Sequence, residues 1–320
     1  MTNVLITGGS GFLGSNLAKF LLNKNYKIKV VDNISRGQKK YLSGIIDKID
    51  FVNGDIRDYK FIKKHLNNIS VVFHLAAING TKNFYAKPDE VLDVGINGTY
   101  SIINAINESK QVDKLIFASS SEVYQTPKII PTDENININF PNLKNPRYSY
   151  GISKVVGEVL CNMALRKDIN YSIFRPHNIY GPAMGNDHVI PELILKILKE
   201  NQKPKNIINL NIQGSGKETR SFCYIDDAIR QIYLILKKGK NKETYNIGNE
   251  EQTSILDLAK KILKNFNKNY LIKKNDLFSG STKKRCPDID KIKSLGYFKF
   301  TKLDTGIKNT LKYYKKNFNE

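Results

Sequence analysis

The stretch Val4-Leu5-Ile6-Thr7-Gly8-Gly9-Ser10-Gly11-Phe12-Leu13-Gly14 reads as a β-strand that runs into a tight turn and then an amphipathic helix. Glycines at 8, 11 and 14 let the backbone turn sharply and approach a pyrophosphate, whose charge the helix N-terminus meets. Such spacing also occurs in ordinary turns, and its place between strand and helix is what gives it meaning. Working outward, β-rich runs at residues 28–32, 50–53, 71–75, 115–119 and 171–175 alternate with helical patterns at 13–22, 91–108 and 149–165. That alternation predicts a parallel sheet flanked by helices, and right-handed crossovers make it a doubly wound α/β Rossmann sheet.

After about Pro176 the pattern changes to helices separated by short strands, with loops near Pro182, Pro204 and Gly280. The expected organisation is a dinucleotide-binding domain over residues 1–175, also receiving segments from about 221–250, and a smaller α/β substrate lobe over 176–320. Residues 207–212, the turn Gln213-Gly214-Ser215-Gly216 and residues 221–225 read as a hairpin or tight reversal. The run 308–316 reads as a solvated helix.

Composition narrows the function classes. The 320 residues are 40% hydrophobic and 25% charged, enough for a sizeable core. The net charge of +21 raises nucleic acid as a partner, but lysine outnumbers arginine 43 to 8 and is scattered, not interleaved with aromatics. A phosphate-bearing small molecule is the better expectation. Cys161, Cys223 and Cys286 are far apart, which points to reduced thiols and neither disulfide nor metal. MTNVLITGGS has no basic segment ahead of its apolar run, and no stretch approaches the roughly 18 apolar residues of a membrane span, so a cytoplasmic protein is expected.

Asp32 ends the second strand, 18 residues beyond Gly14, where its carboxylate accepts hydrogen bonds from both adenosine ribose hydroxyls. A 2′-phosphate would meet like charge there, which favours NAD over NADP, although Arg36 lies near in sequence. Asp55 follows the third strand, placed to bond adenine or to cap a helix. Tyr150 and Lys154 are four apart on a predicted helix, hence on one face. An ammonium beside a phenol lowers its pKa from about 10 towards that of a useful base. Ser119-Ser120-Ser121-Glu122 closes the fifth strand, and the carboxyl ends of parallel strands line one crevice. His177 reads as a packing histidine, with no ligand spacing to His188.

The glycine turn, Val31-Asp32-Asn33, Gly54-Asp55-Ile56-Arg57-Asp58, Phe73-His74-Leu75-Ala76-Ala77, Ser119-Ser120-Ser121-Glu122-Val123-Tyr124, Tyr150 with Lys154, Arg175-Pro176-His177-Asn178-Ile179-Tyr180-Gly181-Pro182, residues 220–227 and 285–288 together resemble the NAD-dependent epimerase/dehydratase family. The resemblance implies NAD held by Gly8, Gly11, Phe12, Leu13, Gly14, Asp32, Asn33, Asp55, Ile56, Leu75, Ala76 and Ala77, together with Tyr150 and Lys154. It implies Tyr150 as base, Lys154 on the nicotinamide ribose and Ser120 on the reacting sugar oxygen. It further implies a nucleotide-diphosphate sugar contacting Ser120, Ser121, Asn178, Arg220 and Arg285, and a homodimer joined through two helices per subunit. Gly95 and Gln125 depart from the family pattern, which has asparagine and glycine there.

Oxidation at C4 gives a 4-keto sugar with several exits. Return of hydride to the other face gives the C4 epimer, loss of the C6 hydroxyl a 4-keto-6-deoxy sugar, and loss of carbon dioxide the product of a uronate. By the resemblance Glu122 stands where dehydratases keep their C5 base and decarboxylases a glutamate, whereas Ser121 stands where many dehydratases have an acid. C4 epimerisation is the leading expectation, with a 4,6-dehydratase, a uronate decarboxylase or a dehydrogenase as alternatives. A non-catalytic dinucleotide sensor is the reading from another class.

Overall fold

Strands β1 (Asn3–Thr7), β2 (Lys27–Asp32), β3 (Asp50–Asn53), β4 (Val71–His74), β5 (Lys114–Ala118) and β6 (Asn170–Pro176) form one parallel sheet with the later strand Glu243–Ile247. Its order is Glu243–Ile247, β6, β5, β4, β1, β2, β3. The structure is a computed structural model that describes residues 2–276, 282–296 and 298–318; Gly280, expected in a loop, lies outside the described residues.

Alternate side chains of each strand enter different cores, as a two-residue period requires. Val4, Ile6, Val30 and Phe73 pack with Leu17 and Leu21 of helix α1 (Phe12–Leu22) and with Ile229 and Ile232 of the helix Ile225–Lys238. Leu5, Val31, Val72 and Phe117 pack on the opposite face. There they meet Ile62 of helix α2 (Tyr59–His65), Ile102 and Ile106 of the long helix α4, and Cys161 of α5. Helix α3 (Thr81–Ala86) precedes α4 (Pro88–Glu108), and α5 spans Ser149–Met163. Helix α4 starts at Pro88, a turn before the apolar pattern begins, because proline in the first turn lacks only an N–H that would be unpaired anyway. Gly95 explains one departure from the family pattern: a Cβ there would lie 2.5 Å from Ser153 Oγ, so its absence lets α4 close on α5.

The chain 225–247 thus returns to the sheet, as the helix Ile225–Lys238 and the edge strand beside β6. The expected hairpin does not form. Strand Ile207–Gln213 pairs in parallel with Asn269–Asn275, while Gly214 and Gly216, both at positive φ, turn the chain away. Glu218 fastens that turn by accepting from the backbone of Ser215 and Gly216. Thr219–Ser221 then pairs antiparallel with Gln252–Ser254 and parallel with Lys284–Arg285, which sets Arg220 opposite Arg285. The run 308–316 belongs to the longer helix Leu303–Lys316, and it is solvated on one side only: Leu303, Ile307, Leu311 and Tyr314 are buried. No helix among the described residues is long and apolar enough to cross a membrane.

Candidate active site

A cavity of about 350 Å³ opens at the carboxyl ends of β1, β2, β3 and β4. Gly8, Gly11 and Gly14 with Phe12 and Leu13 form its floor. Gly8 has φ +70, and a Cβ there would stand 2.8 Å from the Ala76 backbone; one on Gly14 would stand 2.3 Å from the Gly8 carbonyl oxygen. Strand turn and helix start therefore touch backbone to backbone, which only glycine permits. Asp32, Asn33, Asp55 and Ile56 make one wall, and Leu75, Ala76 and Ala77 the other. His74 holds that second wall in register, its Nδ1 bonding Thr7 Oγ1 at 2.7 Å and its Nε2 Thr99 Oγ1 at 3.1 Å. Burial, reinforced by Lys154, pushes His74 down to about 3, so it is a neutral structural link.

The donors and acceptors around this cavity suit a dinucleotide. Asp32 is nearly buried, its two oxygens accepting from Ser10 N at 2.9 Å and Ile34 N at 2.8 Å. The carboxylate is thus aimed before any ribose arrives. Asp55 does not cap α2; Asp58 does, accepting from Phe61 N at 3.0 Å. Asp55 instead pairs with Arg57 at 2.6 Å, and that hydrogen bond holds its carboxyl down at about 2. Asp32→Ala is expected to weaken NAD binding about tenfold to a hundredfold, the loss of one or two charge-assisted hydrogen bonds, and to relax the bias against NADP. Fluorescence titration with reduced cofactors checks this.

The chemical groups lie beyond β5. Ser120 Oγ accepts from Glu122 N at 3.1 Å. Tyr150 is 6% exposed and stacks on Phe84 of α3, the centroids 5.1 Å apart. Burial pushes its phenol up to about 12; Glu122 adds to the rise, whereas Ser120 and Arg36 oppose it. The expected lowering by Lys154 is not what the structure shows. Lys154 Nζ donates to the Ala118 carbonyl at 2.8 Å, tied to the end of β5. Burial also brings this amine down to about 8, with Cys161 and Glu158 working against the fall. Spacing put the two side chains on one face of α5, but a long flexible amine bonds where an acceptor waits.

Glu122 is brought to Arg285, whose Nη1 donates to Oε1 at 2.7 Å. Burial pushes the Glu122 carboxyl up, yet Arg285, then Arg147 and Arg220, outweigh it and keep it below its ordinary value. Arg220 lines a second cavity of about 730 Å³ with Lys82, Tyr85 and Arg147; Asn186 lines both cavities, so the two adjoin. Burial, then Arg285 and Arg147, lowers Arg220 to about 10. Ser121 is buried in the turn after β5. Asn178 is directed elsewhere in this structure, its Nδ2 donating to the Ser221 carbonyl at 3.2 Å. His177 is buried and bonds Asn246 Oδ1 at 3.1 Å, and burial takes it down to about 3, so it packs. Gln125 adopts φ +50 where the family has glycine; its Nε2 donates to the Glu122 carbonyl at 2.5 Å, stiffening the turn.

Two site residues escaped the sequence reading. Arg147 stands three residues before Tyr150, a helical spacing that could have revealed it. Arg36 was weighed only against NADP, yet its side chain lines the dinucleotide cavity.

A glycine turn under a helix start, an acid at the end of β2 and a Ser–Tyr–Lys set beyond β5 define a dinucleotide-dependent enzyme built on a Rossmann sheet. The chain belongs to the NAD dependent epimerase/dehydratase family, whose model matches residues 4–248. It is 35% identical over 263 residues to a UDP-N-acetyl-alpha-D-glucosaminuronate decarboxylase of Bacillus cytotoxicus, covering 81% of this chain and 78% of that one. With a dTDP-D-glucose 4,6-dehydratase of Homo sapiens it shares 30% identity, over 98% of this chain and 90% of the other. The crystal structure of UDP-glucose 4-epimerase with UDP-glucose from Thermotoga maritima superposes with a TM-score of 0.88 at 27% identity, over 99% of this chain and 100% of that one. The names of these relatives denote three different reactions.

Proposed function

We propose that the protein oxidises the C4 hydroxyl of a nucleotide-diphosphate sugar and reduces the 4-keto sugar again to the C4 epimer. The carrying observation is the packing of the turn after β5, which holds Ser120, against the start of α5, which holds Tyr150: a Cβ on Gly151 would lie 2.8 Å from the Glu122 carbonyl oxygen. Two hydroxyls so placed receive a sugar alcohol between them: Ser120 orients it and Tyr150 takes its proton and later gives it back. Bound NAD supplies the acceptor, and later the donor, of the hydride. Arg220, Arg147 and Lys82 along the second cavity suit the diphosphate, whose oxygens a guanidinium meets in pairs.

Among the exits from the 4-keto sugar, loss of water needs a base at C5. Glu122 is tied to Arg285 and kept ionised by three guanidiniums, which makes it a poor proton acceptor. Epimerisation needs no such base. The second reading is decarboxylation of a nucleotide-linked uronate, favoured by the gathering of Arg285, Arg147 and Arg220 around Glu122, a charge surplus that suits an acidic sugar. A cytoplasmic homodimer completes the proposal. Tyr100 on α4 and Val159 and Met163 on α5 expose apolar side chains that a second copy would cover.

Incubation with UDP-, GDP-, CDP- and dTDP-sugars, neutral and acidic, followed by mass and proton NMR, separates the exits. The expected product has unchanged mass and an inverted C4 signal. Loss of carbon dioxide supports the second reading and loss of water the dehydratase; retained NAD with no turnover of any sugar leaves the sensor.

A further inference from the structure

Gln125 closes the short helical turn Ser121–Tyr124 at φ +50 and ψ −104, a conformation that residues with a Cβ rarely adopt. Its own side chain holds it there. The backbone N–H and the side-chain Nε2 both donate to the Glu122 carbonyl, at 3.3 and 2.5 Å, so one acceptor is gripped twice. The amide is buried against the start of α5: a Cβ on Gly151, the residue after Tyr150, would stand 2.7 Å from Nε2. The turn that carries Glu122 is thereby set on the turn of helix that carries Tyr150.

The same backbone aims the Gln125 carbonyl at residues 282–285. That oxygen accepts from Thr282 Oγ1 at 3.3 Å and from Arg285 Nη2 at 3.4 Å. Arg285 Nη2 also donates to Thr282 Oγ1 at 3.2 Å, and its Nη1 to Glu122 Oε1 at 2.7 Å. The guanidinium thus straddles the turn, one amine on the Glu122 carboxylate and the other on the carbonyl three residues later. Gln125, Thr282 and Arg285 are all buried, so an acceptor lost here is not replaced by bulk water.

We propose that Gln125 is a positioning residue that decides the fate of the keto sugar: by holding the turn at positive φ it docks Arg285 on Glu122, and so withholds that carboxylate from the hydrogen at C5. The consequence for the product rests on the reading that a 4-keto sugar forms here, but the docking of Arg285 does not. Were Glu122 released, its carboxylate would take the C5 proton while the C–H electron pair passed to the ketone oxygen as an enolate. The proton would exchange with solvent, and its return to C5 would leave a solvent hydrogen in the sugar.

Substitutions separate conformation from side chain. Gln125→Ala keeps a Cβ but loses the amide that holds φ +50, whereas Gln125→Gly adopts that φ without strain. Arg285 reports the docking through its 15N-labelled guanidinium, one of only eight arginines, assigned by its absence from Arg285→Lys. A docked guanidinium gives two distinct Nη signals and a free one a single averaged signal; the alanine variant is expected to average them and the glycine variant to keep them apart. During turnover in D2O the alanine variant is expected to place about tenfold more deuterium at C5 than the wild type, the scale of a released minor state becoming common. Thermal unfolding identifies the variants that fold, and Gln125→Met, equal in length but without a donor, serves if the alanine does not. Distinct Nη signals in the folded alanine variant overturn the proposal. So does a glycine variant that loses the docking as fully as alanine, and so does C5 exchange that stays at the wild-type level once the docking is lost. Failure of every nucleotide sugar to turn over would sink the functional reading, while the Arg285 signals would still decide the docking.

Discussion

Tyr150→Phe is expected to lower kcat about a thousandfold while NAD stays bound, the scale of a lost general acid and base. The substitution removes one oxygen. The ring keeps its stack on Phe84, whose centroid is 5.1 Å away, so local packing survives. Tyr150 is buried and is not among the residues lining the dinucleotide cavity, whose walls are built from the ends of β1 to β4 and the loops that follow them. Binding and chemistry should therefore separate in this variant: cofactor content, read by absorbance of the purified protein, remains near wild type while turnover of the sugar identified in the panel collapses. Near-normal turnover would remove Tyr150 from its role. Because the phenol must lose its proton to act, and burial pushes it up to about 12, the site depends on nearby positive charge to work at neutral pH.

Glu158→Ala is expected to destabilise the protein by about 3–5 kcal/mol, as when one partner of a buried ion pair is deleted. Glu158 continues the face of α5 that carries Tyr150 and Lys154, one turn further on. It accepts from Arg175 at 2.8 and 2.6 Å, and from Ser119 Oγ at 2.5 Å. Both partners of the ion pair are buried, and Arg175 also donates to Tyr124 OH at 2.8 Å, which in turn donates to Asn246 Oδ1. Alanine would strand a guanidinium between β6 and α5 and free the end of β5, where Ser120 stands. Denaturant unfolding measures the loss, and Glu158→Gln, which keeps hydrogen bonding but not charge, should recover part of it. A change below about 1 kcal/mol would show that water or a rearranged partner reaches Arg175.

Much of the site is local in origin, and that part was readable. A strand, three glycines and a helix start are contiguous, so the turn at Gly8 follows from backbone geometry alone. Parallel strands put their carboxyl ends on one side, so Asp32, Ala76 and Ser120 could be grouped from strand boundaries that agree with the structure to within a residue or so. The hairpin failed because a turn-like sequence fixes a reversal but not the strand it returns to. Asn269–Asn275 outcompeted the neighbour as partner for Ile207–Gln213. The run 308–316 looked solvated because its lysines outnumber its apolar residues, although those few fall on one face and find a core.

By itself the amino-acid order determined the Rossmann sheet, the dinucleotide turn, the place of Ser120 just after β5 and that of Tyr150 and Lys154 on one helix. These depend on contacts short in sequence or on the direction shared by parallel strands. Only the folded chain decided where long charged side chains go: Lys154 to Ala118, Arg285 to Glu122, Arg36 across the cavity between Gly80 and Gly185. Each has several rotatable bonds and reaches about 6 Å from its backbone, so its partner is set by what distant segments bring near it and not by its own neighbours in the chain.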